Sequence, residues 1–501
     1  MKGHVRSPGA PADVALLFEG SEVLRGGIAD WVHKLIESSP QTTFSLVFLG
    51  GRRSGDRLAN PALPYNVVHF ERRYLFEPPE GETGPRFFGD VRAFEHFDRL
   101  LDRLRSEPKA RIDREDARRI ALGLGEPAVS SRTFLHGDAA WESISAAYRR
   151  DAGDLSFTDY FWMMRAMHIA LFALTQVSAH LPPAAFYHSL STGYAGFLGA
   201  LLAHRHERPL IVTDDGLYTR ERLIELACAD AFPGDAARSR SIAGSRRLWT
   251  RFFEALRKIA FASAHSIVAL HGESRREQIE DGADPKRTRV IPTGVEIERF
   301  IPLRPRSSGE STALVGLVAP VVPAKDVKTF IRAMKLVVAE RADAQAWIVG
   351  STSEDPGYAA ECLQLVGNLG LERKVRFLGV RPPEEILHCL SLVVLTSASE
   401  ALPMAVLEAF AAGVPVVATD AGACRELIEG RAPDDRLGAA GAVVPVGDAE
   451  AAARAVLSFL RDTSRWSAAR ETAIRRVEAW YTRTRTTDAY RALYAEAGAV
   501  R

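Results

Sequence analysis

Residues 392–420 read LVVLTSASEALPMAVLEAFAAGVPVVATD. The apolar run LVVLTS is followed by a loop, by a helical pattern that starts near Pro403, and by a second apolar run, PVVATD. Proline suits the first position of a helix. Short apolar runs that alternate with helices are typical of a parallel sheet covered on both faces. The stretch therefore predicts a β-α-β unit with a loop at the carboxyl end of its first strand.

The same alternation recurs along the 501 residues, a length that favours two domains. A shift to proline, arginine, serine and glycine at 300–312 predicts a linker. The region 52–156 is more polar and is predicted to be largely helical. Strands are predicted at ADVALLFEG, TFSLVFLG, AAFYHSL, RPLIVTD and SIVALHG before the linker, and at TALVGLV, AQAWIVGS, KVRFLGV, LVVLTS, PVVATD and GAVVPV after it. The fold class predicted is α/β, with two Rossmann-like domains joined near residue 305.

Composition argues against several classes of protein. The formal net charge of +1 gives no electrostatic reason to expect nucleic acid as a partner. The four cysteines are scattered without a CxxC pair, which favours a reducing compartment and argues against a zinc site. The N-terminal residues lack the apolar core of a signal peptide. A periplasmic binding protein is therefore disfavoured, and a phosphorylase is disfavoured because no lysine-bearing segment suited to pyridoxal phosphate stands out.

One segment is long enough to raise the question of a membrane span. No Asp, Glu, Lys or Arg occurs between Arg165 and Arg205. Pro182 and Pro183 divide this segment, and polar residues recur within it. A buried helix, a strand and a second helix are predicted, with a transmembrane helix as the alternative.

Two glutamates, Glu400 and Glu408, frame the start of the helix near Pro403. Ligands of open parallel sheets bind beyond the carboxyl ends of the strands, where helix N-termini present free N–H groups. Carboxylates accept strong hydrogen bonds from hydroxyl groups, so the pair could hold two parts of one elongated, hydroxyl-bearing ligand. The alternative is that Glu400 only favours a helix start and Glu408 is a solvated helix residue.

Residues 400–420 resemble the E-x7-E signature of the GT4 retaining glycosyltransferases. Other stretches narrow the resemblance to the PelF family, the cytosolic glycosyltransferases of Pel exopolysaccharide synthesis. The resemblance runs from about Asp13 to the C-terminus. The stretches that carry it are SFTDYFWMMRAMHIALFAL, HSLSTGYAGFLGALL, GLYTRERLIELACAD, RREQIEDGADPKRTRVIPTGVEIERF, KDVKTFIRAM and CRELIEG.

The resemblance implies a GT-B fold, with an N-terminal acceptor-side domain over 1–305 and a nucleotide-sugar-binding domain over 306–478. The helix at 479–501 is then expected to return to the first domain. The implied reaction transfers a hexose from a UDP-sugar to a growing exopolysaccharide, with no metal and no cofactor. The implied location is the cytoplasm, at the inner face of the membrane beside membrane-bound Pel components.

The resemblance also implies roles for individual residues. Glu400 is expected to contact the donor sugar, Glu408 the ribose, and Lys325 the diphosphate. The remaining donor contacts are expected at Gly26, Gly27, Ala401, Leu402, Pro403 and Met404. His188 matches a family histidine and is predicted to be catalytic, with a buried core histidine as the alternative.

Two positions depart from the family pattern. Pro320 stands where the family has a phosphate-binding arginine, and Asp215, also predicted to lie in the catalytic site, stands where it has a histidine. Two interpretations stay open. One is an active transferase with a rearranged phosphate site in which Arg25 supplies the guanidinium. The other is a weakened or inactive pseudo-glycosyltransferase that acts as a nucleotide-binding or assembly partner.

Overall fold

The computed structural model describes residues 11–20, 27–51, 63–76, 90–95, 112–124, 131–153, 155–214, 237–304, 313–431 and 435–500. The chain forms two compact units. Unit 1 comprises Met1–Ala269, Arg275–Arg289 and Arg491–Arg501, and unit 2 comprises Leu270–Ser274 and Val290–Tyr490.

Unit 1 is built on a seven-stranded sheet with the order β3-β2-β1-β4-β5-β6-β7. Its strands are β1 Ala12–Glu19, β2 Phe44–Gly50, β3 Val67–Tyr74, β4 Ala184–Ser189, β5 Leu210–Asp214, β6 Ser266–Ala269 and β7 Thr288–Val290. The helices in this part of the chain are α1 Gly27–Glu37, α2 Arg114–Gly123, α3 Ser131–His136, α4 Asp138–Asp151, α5 Phe157–His180, α6 Tyr194–His206, α7 Ala237–Ser263 and α8 Gly272–Glu280.

The segment without charged residues forms the centre of unit 1. Helix α5, strand β4 and helix α6 follow one another through it, as predicted. Helix α6 is buried along nearly its whole length, which explains why its sequence is apolar on every side. None of the helices that the structure describes combines the length and apolar character needed to cross a membrane.

One expectation for this region was wrong. Strand β3 lies within the stretch predicted to be largely helical; six of its eight residues are partly buried, Val68 and Arg73 are exposed, and among the described strands it pairs with β2 alone, at the sheet edge. An edge strand with half-buried, charged residues gives no apolar run to recognise. In helix α5, Tyr160, Met163 and Met164 are buried, whereas Trp162 is 59% exposed.

Unit 2 is built on a six-stranded sheet with the order β10-β9-β8-β11-β12-β13. Its strands are β8 Leu314–Val318, β9 Gln345–Val349, β10 Val375–Gly379, β11 Leu392–Leu395, β12 Val416–Thr419 and β13 Gly441–Val444. The helices in this part of the chain are α9 Val327–Glu340, α10 Pro356–Asn368, α11 Pro383–Leu387, α12 Met404–Ala412, α13 Cys424–Glu429, α14 Ala449–Arg461, α15 Thr463–Trp480 and α16 Arg483–Ala499, whose residues from Arg491 onward belong to unit 1, and 3-10 turns lie at Ile297–Arg299, Ile301–Leu303 and Pro323–Lys325.

Strand β11 shows why the apolar runs of unit 2 lack alternation. Leu392 and Val394 belong to one hydrophobic cluster, and Val393 and Leu395 belong to another. Successive side chains of a strand point to opposite faces of its sheet. Both faces of this parallel sheet are therefore covered, and every position of the strand must be apolar.

Each sheet has one place where the strand order reverses. In unit 1 the order reverses between β1 and β4, and in unit 2 it reverses between β8 and β11. Loops that leave such a pair of strands run in opposite directions and open a crevice at the carboxyl ends, where ligands of open α/β sheets bind. In unit 2 these two loops are residues 319–326 and 396–403.

Arg476 on helix α15 is a buried anchor of unit 2. Its side chain is fully buried and paired with the nearly buried carboxylate of Asp435. The guanidinium also donates to the carbonyl oxygens of Leu427 (3.1 Å), Ile428 (2.7 Å) and Gly438 (2.6 Å). The arginine therefore ties α15 to both ends of the segment that joins α13 to β13.

We expect Arg476→Met to lower the free energy of unfolding of unit 2 by about 3–5 kcal/mol, since it leaves the Asp435 charge buried without its partner. The matched control is Arg475→Met, because Arg475 is 60% exposed and lies 3.9 Å from Glu471. The control should change stability by no more than about 0.5 kcal/mol. Urea unfolding of both variants measures the difference, and equal effects would contradict the anchoring role.

Candidate functional site

Lys325 lies in the loop that leaves strand β8. The loop ends in the 3-10 turn Pro323–Lys325, and Asp326 follows in the left-handed conformation with φ 41°. The Asp326 carboxylate accepts a hydrogen bond from the Thr329 N–H at 3.3 Å and so caps helix α9. The left-handed backbone of Asp326 and its capping hydrogen bond fix the position from which the Lys325 side chain extends.

The loop that leaves β11 is bonded to this lysine loop. Thr396 is 1% exposed, and its hydroxyl donates to the carbonyl oxygens of Lys325 (3.2 Å) and Asp326 (2.9 Å). The Ala398 N–H donates to the Ala324 carbonyl at 2.9 Å. The two loops at the reversal of strand order therefore hold each other in place.

The carboxylate of Glu400 meets the ammonium of Lys325. Lys325 Nζ lies 2.7 Å from Glu400 Oε1, and the side chains are 23% and 7% exposed. The hydroxyl of Ser397 donates to the same oxygen at 2.6 Å. The structure thus brings together the two residues that the sequence placed in the catalytic site, 75 positions apart. Both donors make charge-assisted or short hydrogen bonds to the carboxylate, which are stronger than neutral ones.

A third loop supports the backbone of Glu400. Gly422, which follows β12, has φ 53°, and a Cβ built there would lie 1.8 Å from the Glu400 carbonyl oxygen. The next residue, Ala423, donates its N–H to the Ala401 carbonyl at 2.8 Å. Only glycine fits at 422, because a side chain there would displace the chain at Glu400.

Cys424 lies close to this carboxylate and is fully buried. Burial raises the pKa of the Cys424 thiol to about 12, and the negative charge of Glu400 adds to the rise. The thiol therefore stays protonated at neutral pH and acts as a small apolar group rather than a nucleophile.

Helix α12 starts at this site. It begins at Met404 with Pro403 as the N-cap, one residue later than predicted, because Pro403 is extended at φ −70° and ψ 113°. No side chain caps this helix and no acidic residue lies in its first turn. Four other helices of unit 2 have an aspartate cap, at Asp326, Asp355, Asp448 and Asp462. The first turn of α12 therefore offers N–H groups and a positive dipole end to an anion.

The other unit 2 residues predicted to contact the nucleotide-sugar lie just before helix α12 or in its first turns. Ala401 and Leu402 are each 8% exposed and pack into the domain, so only their backbone is suited to contact a ligand. Met404, Ala405 and Glu408 are the partly exposed residues of a helix whose other positions are buried. Met404 and Ala405 lie four and three residues before Glu408, so each lies on the same side of α12 as Glu408.

His188 was predicted to be catalytic, with a buried core histidine as the alternative. The side chain lies in strand β4 of unit 1 and is fully buried. Nδ1 lies 2.8 Å from the Tyr494 hydroxyl, and Nε2 lies 2.8 Å from the Thr213 hydroxyl. Burial lowers the pKa of His188 to about 3, so the imidazole is neutral. Both ring nitrogens are engaged within unit 1, which is the arrangement of the core histidine named as the alternative.

Several predicted residues lie outside the described part of the chain. Asp215, Gly26 and Arg25 are among them, and Gly27 is the first residue of helix α1. Pro320 is described: it is half-buried, and its carbonyl accepts a hydrogen bond from the Val322 N–H at 3.0 Å.

Sequence reasoning missed four residues that shape this site. Ser397, Thr396, Asp326 and Gly422 hold Glu400 and Lys325 in position. The spacing Ser397-x-x-Glu400 was the one available signal, because serine three residues before glutamate commonly forms reciprocal hydrogen bonds. The hydroxyl of Ser399 is buried and has no hydrogen-bond partner among the described residues.

Two family models match the chain. The domain of unknown function DUF3492 matches residues 12–286, and glycosyl transferases group 1 matches residues 312–462. The second range contains the unit 2 sheet together with Lys325 and Glu400.

Curated relatives match part of the chain. A D-inositol 3-phosphate glycosyltransferase from Corynebacterium jeikeium is 32% identical over 180 residues, which cover 31% of this chain and 43% of that protein. The lipopolysaccharide core biosynthesis mannosyltransferase LpcC from Rhizobium leguminosarum bv. viciae is 32% identical over 213 residues, which cover 41% of this chain and 58% of that protein. The chain thus spans about half the length of these curated relatives.

A solved structure of similar fold is Anabaena Alr3699/HepE in complex with UDP and glucose. It matches with a TM-score of 0.55 at 14% identity, over 96% of this chain and 99% of that chain. The predicted fold class is confirmed: each unit holds a Rossmann-like parallel sheet, as in the GT-B glycosyltransferases. The DUF3492 model covers more than half of the chain. The chain therefore belongs to the DUF3492 family and carries a glycosyl transferases group 1 domain at residues 312–462.

Proposed function

We propose that this protein is a retaining glycosyltransferase that transfers a hexose from a UDP-sugar, such as UDP-glucose, to a glycan acceptor. The observation that carries the proposal is the contact between Lys325 and Glu400 at the reversal of strand order in the group 1 domain. A cation and a hydroxyl-binding carboxylate at this position match the two halves of a nucleotide-sugar, its diphosphate and its sugar.

The leaving group of such a reaction is a nucleoside diphosphate, whose negative charge grows as the bond to the sugar breaks. Lys325 and the uncapped start of helix α12 are the groups of unit 2 suited to stabilise that charge. Glu400 accepts a hydrogen bond from a sugar hydroxyl, and Glu408 accepts one from the ribose. The acceptor hydroxyl attacks the face that the diphosphate leaves, which retains the configuration, and no side chain forms a covalent intermediate. We propose that the reaction needs no metal.

The biological setting belongs to the proposal as well. The motifs that resemble the PelF family extend through both units, which supports a growing exopolysaccharide as acceptor. They also support a cytoplasmic location beside membrane-bound Pel components.

A second candidate is a pseudo-glycosyltransferase that binds a nucleotide and serves as an assembly partner. Pro320 favours it, because proline has neither a charge nor a backbone N–H to offer a phosphate. Lys325 also has Glu400 as a partner, so a diphosphate must compete with a carboxylate for the ammonium.

The first experiment follows UDP release from a panel of UDP-sugars, with GDP-mannose included. The wild type is expected to release UDP, and Lys325→Ala is expected to reduce the rate by about 10²–10³-fold, the usual effect of removing one electrostatic stabiliser. Lys335→Ala is the matched control, since Lys335 is exposed on helix α9 and donates to the Leu369 carbonyl. A chelator should leave the rate unchanged.

Calorimetric titration with UDP separates the two candidates. Turnover lost in Lys325→Ala and kept in Lys335→Ala supports the transferase. UDP binding without release from any donor supports the pseudo-glycosyltransferase. Neither binding nor release would contradict both candidates.

The position of Pro320 gives a second, independent test. Pro320→Arg restores a guanidinium at the position where the resemblance expects one, and Pro320 is partly exposed. One charge-assisted hydrogen bond contributes about 1.5–3 kcal/mol, so UDP affinity should rise about tenfold or more. Pro323→Arg adds the same charge three residues away and controls for a general electrostatic effect. Equal gains in both variants, or none, would contradict a specific phosphate position at residue 320.

A further inference from the structure

Two hydrogen-bond donors converge on one oxygen of the Glu400 carboxylate. Lys325 Nζ lies 2.7 Å and Ser397 Oγ lies 2.6 Å from Oε1. Ser397 is 1% exposed, so its hydroxyl has no water to compete for this bond. Oε1 is therefore occupied from two directions.

The other oxygen, Oε2, differs from Oε1 in its hydrogen bonding. Among the residues that the structure describes, none donates a hydrogen bond to it. Glu400 itself is 7% exposed. A carboxylate oxygen that receives no hydrogen bond from the protein can accept one from a ligand, and a ligand hydroxyl in the crevice would supply it.

A carboxylate does not keep its orientation without such anchors. The last torsion of a glutamate side chain is broad and nearly two-fold, so the two oxygens exchange places easily when neither is held. Lys325 alone is a poor anchor, because an ammonium on a flexible stem can follow either oxygen. The serine is the rigid anchor of the pair.

Ser397 is itself held in place by the sheet. It follows strand β11 by two residues, and its carbonyl accepts a hydrogen bond from the Thr419 hydroxyl at 2.7 Å. Thr419 is the last residue of the neighbouring strand β12 and is 1% exposed. Ser397 is thus anchored to strand β12 just after the chain leaves β11, and this contact steadies the hydroxyl that holds the Glu400 carboxylate.

We propose that Ser397 is a positioning residue that fixes Oε1 of Glu400 and presents Oε2 to the sugar of the donor. The proposal rests on the proposed function, since it assigns the free oxygen to a sugar hydroxyl. It also bears on specificity: the donor sugar hydrogen-bonds to one oxygen of the Glu400 carboxylate, and protein groups hydrogen-bond to the other.

The test compares UDP with UDP-glucose by calorimetry, so that the contribution of the sugar is measured separately. In Ser397→Ala the affinity for UDP should change by less than about twofold. The affinity for UDP-glucose should fall until it is close to the affinity for UDP. The transfer rate should fall by about tenfold to a hundredfold, the usual cost of a small misplacement at a reacting centre. Ser391→Ala is the matched control, because Ser391 is 6% exposed at the amino end of the same strand.

A double-mutant cycle distinguishes positioning from a general structural role. If Ser397 acts through Glu400, Ser397→Ala should have no further effect on the sugar contribution in a Glu400→Ala background. Additive losses, or a parallel loss of UDP affinity in Ser397→Ala, would overturn the proposal.

Crystal structures of the ligand-free wild type and Ser397→Ala test the same proposal without any activity. The carboxylate plane of Glu400 is expected to turn, with its oxygens displaced by more than about 0.5 Å, the tolerance within which functional groups are held. An unmoved carboxylate would overturn the positioning role. A wild type that neither binds UDP-glucose nor releases UDP would instead refute the proposed function, and the crystal structures would still decide the role of Ser397.

Discussion

The reversal of strand order in the unit 2 sheet is the constraint on which the candidate site depends. The chain runs outward from β8 through β9 to β10, and then outward on the other side from β11 to β13. The loops after β8 and β11 must therefore part at the sheet's carboxyl edge. Lys325 comes from one of these loops and Glu400 from the other, so the topology of the sheet brings together two residues that are far apart in the chain.

The contact between Lys325 and Glu400 also sets an energetic condition on ligand binding. The mostly buried carboxylate of Glu400 needs a partner. When no nucleotide-sugar is bound, its partners are the Lys325 ammonium and the Ser397 hydroxyl. A nucleotide-sugar can satisfy both charged groups together, because its diphosphate is an anion for Lys325 and its hydroxyls are donors for Glu400. A nucleotide without a sugar serves only the first of them. Under the proposed function, this arrangement would favour a nucleotide-sugar over a nucleoside diphosphate.

Much of this architecture could be predicted from sequence, and the reasons differ between residues. The strands of unit 2 were predictable because both sheet faces are buried, so that runs such as LVVL are wholly apolar. Strand β3 was not, because an edge strand with half-buried charges resembles a polar helix. Glu400 and Lys325 were identified through motif resemblance, whereas the placement of His188 depends on Tyr494 and Thr213, contacts that no local pattern encodes. Ser397 was missed because its function is to orient another side chain.

Lys325 and the start of helix α12 are proposed to form the diphosphate site. A crystal structure of the protein with UDP tests this most directly. The account predicts a phosphate oxygen within about 3.2 Å of Lys325 Nζ and of a backbone N–H in the first turn of α12. A diphosphate bound elsewhere, with Lys325 still joined to Glu400 alone, would contradict it.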